Sequence, residues 1–398
     1  MWRLGFFFHE MGFGLLSIFL PLYVLQIDPK SGLFYFGIMA ATALFAAIPA
    51  SFFWGYVCDK TRHYKRYILL AFLASTILLF SFTRTTSLAL LTGLYAMMAI
   101  FHVAHEPPKN VLISELYSHQ DWERTFASYE GFTEIGSLIG LLLGFLMSNY
   151  GLGPTNTLYL CSGLNLVALV LSAIFIVDPP MVFERSLVSI EKTVDFASHG
   201  VFLASKMLDG IALGEKLKRE NVVAFCCGLV FFSLATSILF TPLPVFVSNI
   251  TAGLPPGIVF AIFVLNSGGA VAGYTFTRRR SGESTGKSHV SGIVLFRCIF
   301  AFILLATLQV SSFNVVLTTT VLIMMGFLNA VYVVHILSLS MEMIPAGRAG
   351  LVNVLTGIGA AAGSLLGPSI AQTFGFINVF IIAGVVFFTA YVFFKMFA

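Results

Sequence analysis

The chain has 398 residues, a net charge of +4, 58% hydrophobic residues and 10% charged residues, with a mean hydropathy of +0.93. A soluble domain carries about 25% charged residues, so this composition excludes a water-soluble enzyme and points to an all-α integral membrane protein. The small positive balance is accounted for below by membrane topology, which leaves no nucleic-acid footprint.

A bilayer-spanning helix needs about 20 apolar residues. Apolar runs of roughly that size recur along the chain. In order they cover 4–26, 33–57, 67–84, 88–112, 127–149 and 156–177. A second set follows at 221–249, 255–277, 289–311, 314–340, 350–373 and 375–396. The first run carries His9 and Glu10 and lacks a small-residue cleavage site, so it reads as a retained helix rather than a signal peptide. Turn-forming residues at Asp28–Gly32 and Gly151–Thr155 separate neighbouring runs. The five cysteines (Cys58, Cys161, Cys226, Cys227 and Cys298) lie in or beside apolar runs without metal-ligand spacing.

The stretch from Asp178 to Glu220 differs from the rest. It is charged and amphipathic, and reads as a cytoplasmic linker (178–220) between a six-helix bundle at 1–177 and another at 221–398. Lysine and arginine give the orientation. With the N terminus inside, 18 of the 22 fall on the cytoplasmic side or its segments, and only Lys30 and Arg84 fall outside. That asymmetry predicts an even number of spans and both termini in the cytoplasm.

The halves repeat one another. Residues Leu20–Ile27 match Leu243–Ile250, Gly55 and Tyr56 match Gly273 and Tyr274, and Gly136–Gly140 match Gly363–Gly367. The offsets lie between 218 and 227 and keep their order. With six spans each, the repeats run parallel, the arrangement of two bundles rocking about a central site.

The short loop after the second run holds Gly55, Asp59, Lys60, Lys65 and Arg66. Glycine, three residues, aspartate and a basic cluster between two spans resembles the signature loop of the major facilitator superfamily. Arg62 stands where that pattern has its second glycine. The resemblance covers essentially the whole chain. It implies a monomeric twelve-helix secondary transporter working by alternating access, without cofactor. It also implies that Asp59 and its neighbours Gly55 and Lys60 brace a cytoplasmic gate, to which Arg124 and Glu130 are assigned as well. Glycine-rich fifth and eleventh helices sit between the halves in that family. Here Gly136, Gly140 and Gly144 recur every four residues on the fifth span, and Gly359, Gly363 and Gly367 on the eleventh, ahead of Pro368. Such spacing lines one helix face and lets a partner approach closely.

The chemistry lies in ionisable residues inside the spans, where a charge costs at least about 2.5–3.5 kcal/mol unless it faces a cavity or a partner. His9 and Glu10 sit on the first span. His102, His105, Glu106 and Lys109 sit on the fourth, and Glu130 and Glu134 on the fifth. On an unbroken helix His102, Glu106 and Lys109 share a face. Glu10, His9, His102, Glu106, Lys109 and Glu134 are therefore the candidates for a proton-coupling or substrate cavity, with Glu106 first. The second half offers Arg297, expected to snorkel or to pair, and His335.

The reading that results is a proton-coupled transporter in the plasma membrane, exporting a small amphipathic or hydrophobic organic solute. A divalent-metal transporter using the histidines and glutamates of spans one and four is the second reading. An intramembrane metalloenzyme is the third, but His105–Lys109 lacks the second histidine of a His-Glu-x-x-His motif. No resident metal is assigned.

Overall fold

The structure is a computed structural model, and it describes residues 1–116, 122–178, 222–280, 288–308, 314–343 and 350–397. Inside a bilayer the backbone has no water to bond, so each apolar run satisfies its amides internally as a helix. Among the described residues, twelve helices are long and apolar enough to cross. They span Arg3–Ile27, Gly32–Cys58, Tyr64–Phe82, Leu88–Ile113, Arg124–Asn149 and Pro154–Phe175 in the first half. In the second half they span Val223–Ile250, Ile258–Arg279, Val290–Thr307, Asn314–Leu337, Val354–Phe374 and Phe376–Phe397. The expected spans match these within a few residues. The linker read at 178–220 lies, from 179 on, outside the described residues.

The packing repeats with a shift of six helices. The first span packs on the fifth and sixth, the second on the fourth, and the third on the sixth. Correspondingly, the seventh packs on the eleventh and twelfth, the eighth on the tenth, and the ninth on the twelfth. The halves meet where the second span crosses the eleventh and the fifth crosses the eighth. Large apolar side chains such as Phe53, Leu90, Ile174 and Val316 remain exposed on the outside, as a lipid-facing surface requires.

The glycine stripes carry the repeat in atomic detail. A Cβ on Gly136 or Gly140 would run into the backbone carbonyls of Phe7 and Met11 on the first span. A Cβ on Gly363 or Gly367 would meet those of Leu234 and Ile238 on the seventh. Both partners of each contact shift by the same 227 residues. These glycines, with Gly359 against Val230, therefore press neighbours within one bundle rather than lining the crossing between halves. Gly144 alone of the six also reaches across, lying against both Leu15 and Phe260. The face between halves uses other residues, with Gly37 against Pro368 and Gly357 against Ile48. Gly140→Ala is expected to cost about 1–3 kcal/mol by overpacking. Thermal unfolding of the purified chain measures it, and a wild-type midpoint would contradict the close approach.

Proline content separates the repeats. Pro21 sits inside an uninterrupted first helix. Its counterpart region carries Pro242 and Pro244, and there the seventh span divides into helices Val222–Phe240 and Leu243–Ile250. Each proline removes a backbone donor and crowds the preceding turn. At the chain's first turn, the Asp28 carboxylate accepts the amides of Lys30 and Ser31 at 3.1 and 3.2 Å and the Ser31 hydroxyl at 2.9 Å. Those bonds, Ser31's first, hold the Asp28 carboxyl below its usual range.

Candidate functional site

The site begins with a break in the fourth span. Pro107 and Pro108 have no amide hydrogen, so a regular helix cannot run through them undisturbed. The helix Leu88–His102 passes into a 3-10 turn, Val103–His105, and resumes as Glu106–Leu116. The Glu106 amide bonds to the carbonyl of Val103, one residue short of the α-helical partner. The His102 carbonyl also accepts a bond from His105 Nδ1–H at 2.5 Å.

This turn changes the register read from the sequence. His102 faces the first span, where its Nδ1 lies 3.1 Å from His9 Nε2. Glu106 and Lys109 turn to each other, with Nζ 2.8 Å from Oε2. A 3-10 turn rotates each residue further than an α-turn does, and here His102 turns to His9 while Glu106 pairs with Lys109. His9 is fully buried, and its Nδ1–H donates to Asn165 Oδ1 on the sixth span at 2.6 Å.

Next to the histidines is a small cavity of about 120 Å³. Glu10, Glu106, Glu130, Glu134, Lys109 and His105 line it, together with Tyr129, Thr133 and Ser137. Four carboxylates thus share one ammonium. Lys109 Nζ lies 3.7 Å from Glu130 Oε1 and 5.5 Å above the Tyr129 ring. Glu130 was expected at the gate with Arg124. It turns into this cavity instead, and Arg124 is exposed. Six residues along a helix amount to a rotation of about 240°, so the two point apart. Glu134 reaches further, and Ser267 Oγ–H of the eighth span donates to its Oε1 at 2.5 Å. That bond joins the two halves from inside the carboxylate cavity.

The loop after the second span has one positive backbone angle. Arg62, at the position of the pattern's second glycine, adopts φ 57° and is the one non-glycine residue with positive φ among those described. The turn therefore needs the conformation that glycine supplies at no steric cost. Arg62→Gly is expected to keep or raise the thermal midpoint, whereas Arg62→Val lowers it. Equal midpoints for the two variants would contradict a real constraint. Lys60 lies 5.7 Å from the Tyr56 ring. A side chain at Gly55 would meet no described atom within 4 Å. The side chain of Asp59 lies outside the described residues. The loop is tied to the sixth span, where Asp178 accepts the Lys65 amide at 2.7 Å and the Ala173 carbonyl accepts Lys65 Nζ at 2.6 Å. An acidic group suits a helix N-terminus. The sequence signal for it was Asp178 itself, taken there as the first linker residue.

Arg297 neither snorkels nor pairs with a described carboxylate. It is fully buried, with its guanidinium 4.9, 5.5 and 5.2 Å from the rings of Phe232, Phe240 and Phe387, and it donates to Asn329 Oδ1 at 2.5 Å. Asn165 and Ser267 were missed by sequence reasoning. Their only signal was a polar residue within an apolar run.

The halves are held together at the end opposite the N terminus. Gln372 accepts the Phe34 amide at 2.8 Å and donates to the Lys30 carbonyl at 2.9 Å. Asn149 accepts the Gly257 amide at 3.2 Å. Near the N terminus lies a larger cavity of about 490 Å³, between the start of the first span, the fifth and the eighth.

The family profile of the Major Facilitator Superfamily matches residues 4–357. The chain belongs to the major facilitator superfamily. It is accordingly an integral multi-pass membrane protein and a secondary transporter that works by alternating access, not an enzyme. Among solved structures, the superfold is shared with the nucleoside transporter NupG, at TM-score 0.71 and 15% identity, covering 100% of this chain and 98% of that one. It is also shared with the human organic anion transporter MFSD10 (TETRAN), at TM-score 0.69 and 16% identity, covering 99% and 97%. Identities this low carry the fold alone. No curated protein sequence matches the chain.

Proposed function

We propose that this transporter is a proton-coupled, monomeric exporter of a small amphipathic organic solute, and that Glu134 carries the proton. One observation carries the reading: Glu134 lines a cavity of four carboxylates and also accepts the Ser267 bond from the opposite half. A carboxylate placed there feels both the charge of the cavity and the rocking of the bundles.

The sequence put Glu106 first. Its 2.8 Å pair with Lys109 argues against that role, because a neighbouring cation favours the ionised carboxylate. Glu134 has a hydroxyl as its partner, which can donate to a carboxylate or accept from a carboxylic acid. The groups facing it are Glu130 on its own span, Glu10 on the first, Glu106 and Lys109 on the fourth, and Ser267 and Tyr274 on the eighth.

Size separates coupling from cargo. About 120 Å³ holds a few waters at roughly 30 Å³ each. Organic ligands occupy sites of about 300–1,000 Å³, the scale of the second cavity at about 490 Å³. Its lining mixes Leu4, Phe132 and Ile135 with Ser128, Arg3 and Arg278, which suits an amphipathic molecule. That solved relatives of this fold move nucleosides and organic anions supports an organic cargo. One proton driven by 100 mV supplies about 2.3 kcal/mol, enough for about a fiftyfold gradient.

The test is a screen of organic solutes, nucleosides and organic anions included, in proteoliposomes under an imposed pH gradient. Accumulation that collapses with a protonophore is expected. Accumulation that follows a sodium gradient and ignores pH would contradict proton coupling. The lysine and arginine asymmetry supports an orientation with both termini and the Arg62 loop in the cytoplasm. On a cysteine-free background, Lys30→Cys is expected to react with an impermeant maleimide added outside, and Arg62→Cys is not. The opposite pattern would reverse the topology.

A further inference from the structure

We propose that His9, His102 and His105 form a binding site for a divalent transition-metal ion of the zinc class, resident in the N-terminal half. The sequence reading assigned no resident metal and considered these side chains only as ligands for metal cargo or an enzyme. What the sequence did not show is how the break in the fourth span aims them at a common point.

Each histidine offers one nitrogen, and those nitrogens all lie within 4.8 Å of one another. His9 Nε2 and His102 Nδ1 are 3.1 Å apart. Two ligands bound at about 2.0–2.1 Å to one tetrahedral zinc stand about 3.3 Å apart, so this pair is already near the edge length required. Small rotations bring in the third.

The outer partners match those of a metal site. A ligating histidine usually donates its other ring N–H to a carbonyl or carboxylate, which fixes the tautomer and aims the free nitrogen. Asn165 Nδ2 donates to the Cys161 carbonyl at 2.9 Å, which leaves Oδ1 to accept from His9 Nδ1–H at 2.6 Å. The His102 carbonyl also accepts from His105 Nδ1–H. Both histidines are thereby held as tautomers whose Nε2 carries a lone pair. Glu106 Oε1 stands 3.7 Å from His105 Nε2, within reach as a fourth ligand or as acceptor for a bound water, while its other oxygen is held by Lys109. The adjoining carboxylate cavity, which His105 also lines, gives a cation a negatively charged approach. Three imidazoles and a carboxylate suit zinc, cobalt, nickel or copper rather than calcium or magnesium.

All three ligands come from the first and fourth spans, within one half. Rocking of the halves leaves such a set intact. The ion accordingly braces the first span against the break in the fourth and is not cargo. The assignment does not depend on which acid carries the proton.

The experiment uses the full chain, purified with a tag that contains no histidine and stripped with a chelator. Zinc binding is measured by equilibrium dialysis and by thermal shift, and cobalt binding by its visible spectrum. The expected result is a single tight equivalent, a raised unfolding midpoint and a cobalt spectrum of the four-coordinate type. His102→Ala is expected to abolish all three signals, and the exposed His63→Ala to leave them unchanged. Asn165→Ala keeps every ligand but removes the acceptor for His9, and is expected to weaken binding about 10–100-fold. That variant decides the matter if His102→Ala fails to fold. Absence of zinc binding by the wild-type chain would overturn the site, as would binding that survives His102→Ala or an unchanged affinity in Asn165→Ala. Zinc accumulation inside proteoliposomes would overturn the resident assignment.

Discussion

Glu134→Gln is expected to abolish pH-driven accumulation of substrate while leaving substrate exchange intact. The amide keeps the size of the side chain and its bond with Ser267, since its carbonyl can still accept from the hydroxyl. It cannot titrate. A buried carboxylate is costly unless neutralised or paired, so a carrier that must enter a dry state with its proton and leave without it loses its driving force on this change. Counterflow of labelled against unlabelled substrate, run without a gradient, reads the exchange that remains. Should Glu134→Gln still concentrate substrate in response to pH, the proton belongs to another acid of the cavity. Ser267→Ala is expected to retain coupling but to shift the balance between open states, since it removes the cross-half partner and not the proton.

Lys109→Met is expected to cause the largest loss of stability of any substitution considered. Among the described residues Lys109 is the only lysine or arginine lining a cavity of four carboxylates, and it touches Glu106 at 2.8 Å and Glu130 at 3.7 Å. Removing one partner of a buried pair strands the other, typically at 3–5 kcal/mol. Here two carboxylates lose their partner. Pairing Lys109→Met with Glu106→Gln is expected to recover much of the loss, because an apolar or neutral replacement of both members is far less costly than a stranded charge. Thermal unfolding of the single and double variants measures the coupling. Additive losses would show that Lys109 acts through something other than its charge.

Much of this was legible in the sequence, for a physical reason. A bilayer forces each apolar run into a helix, so the spans and the repeat follow from composition and spacing alone. The 227-residue shift between the Gly136–Phe7 and Gly363–Leu234 contacts is the same shift found in the glycine sequences. What sequence could not give was direction. Spacing of four residues put Gly136 and Gly140 on one face but did not say that the face meets the first span rather than the eighth. The prolines at 107 and 108 were visible, yet they did not show that the turn beside them brings His102 against His9. Glu130 was placed by its distance from Arg124 along the chain, whereas its rotation about the helix sends it to Lys109. Ser267 is anonymous in sequence because its role depends on a residue 133 positions away.

Protonation of Glu134 is proposed to govern which end of the transporter is open. Double electron–electron resonance tests it without knowledge of the substrate. Spin labels at Arg66 and Arg279 report on the end that carries the N terminus, and labels at Arg84 and Leu254 report on the other. All four positions are exposed, and each pair joins opposite halves. The account predicts that the two pairs change population reciprocally with pH in the wild-type chain. It predicts further that Glu134→Gln holds the low-pH distribution at every pH. Distributions that ignore pH in the wild type, or that titrate unchanged in Glu134→Gln, would contradict it.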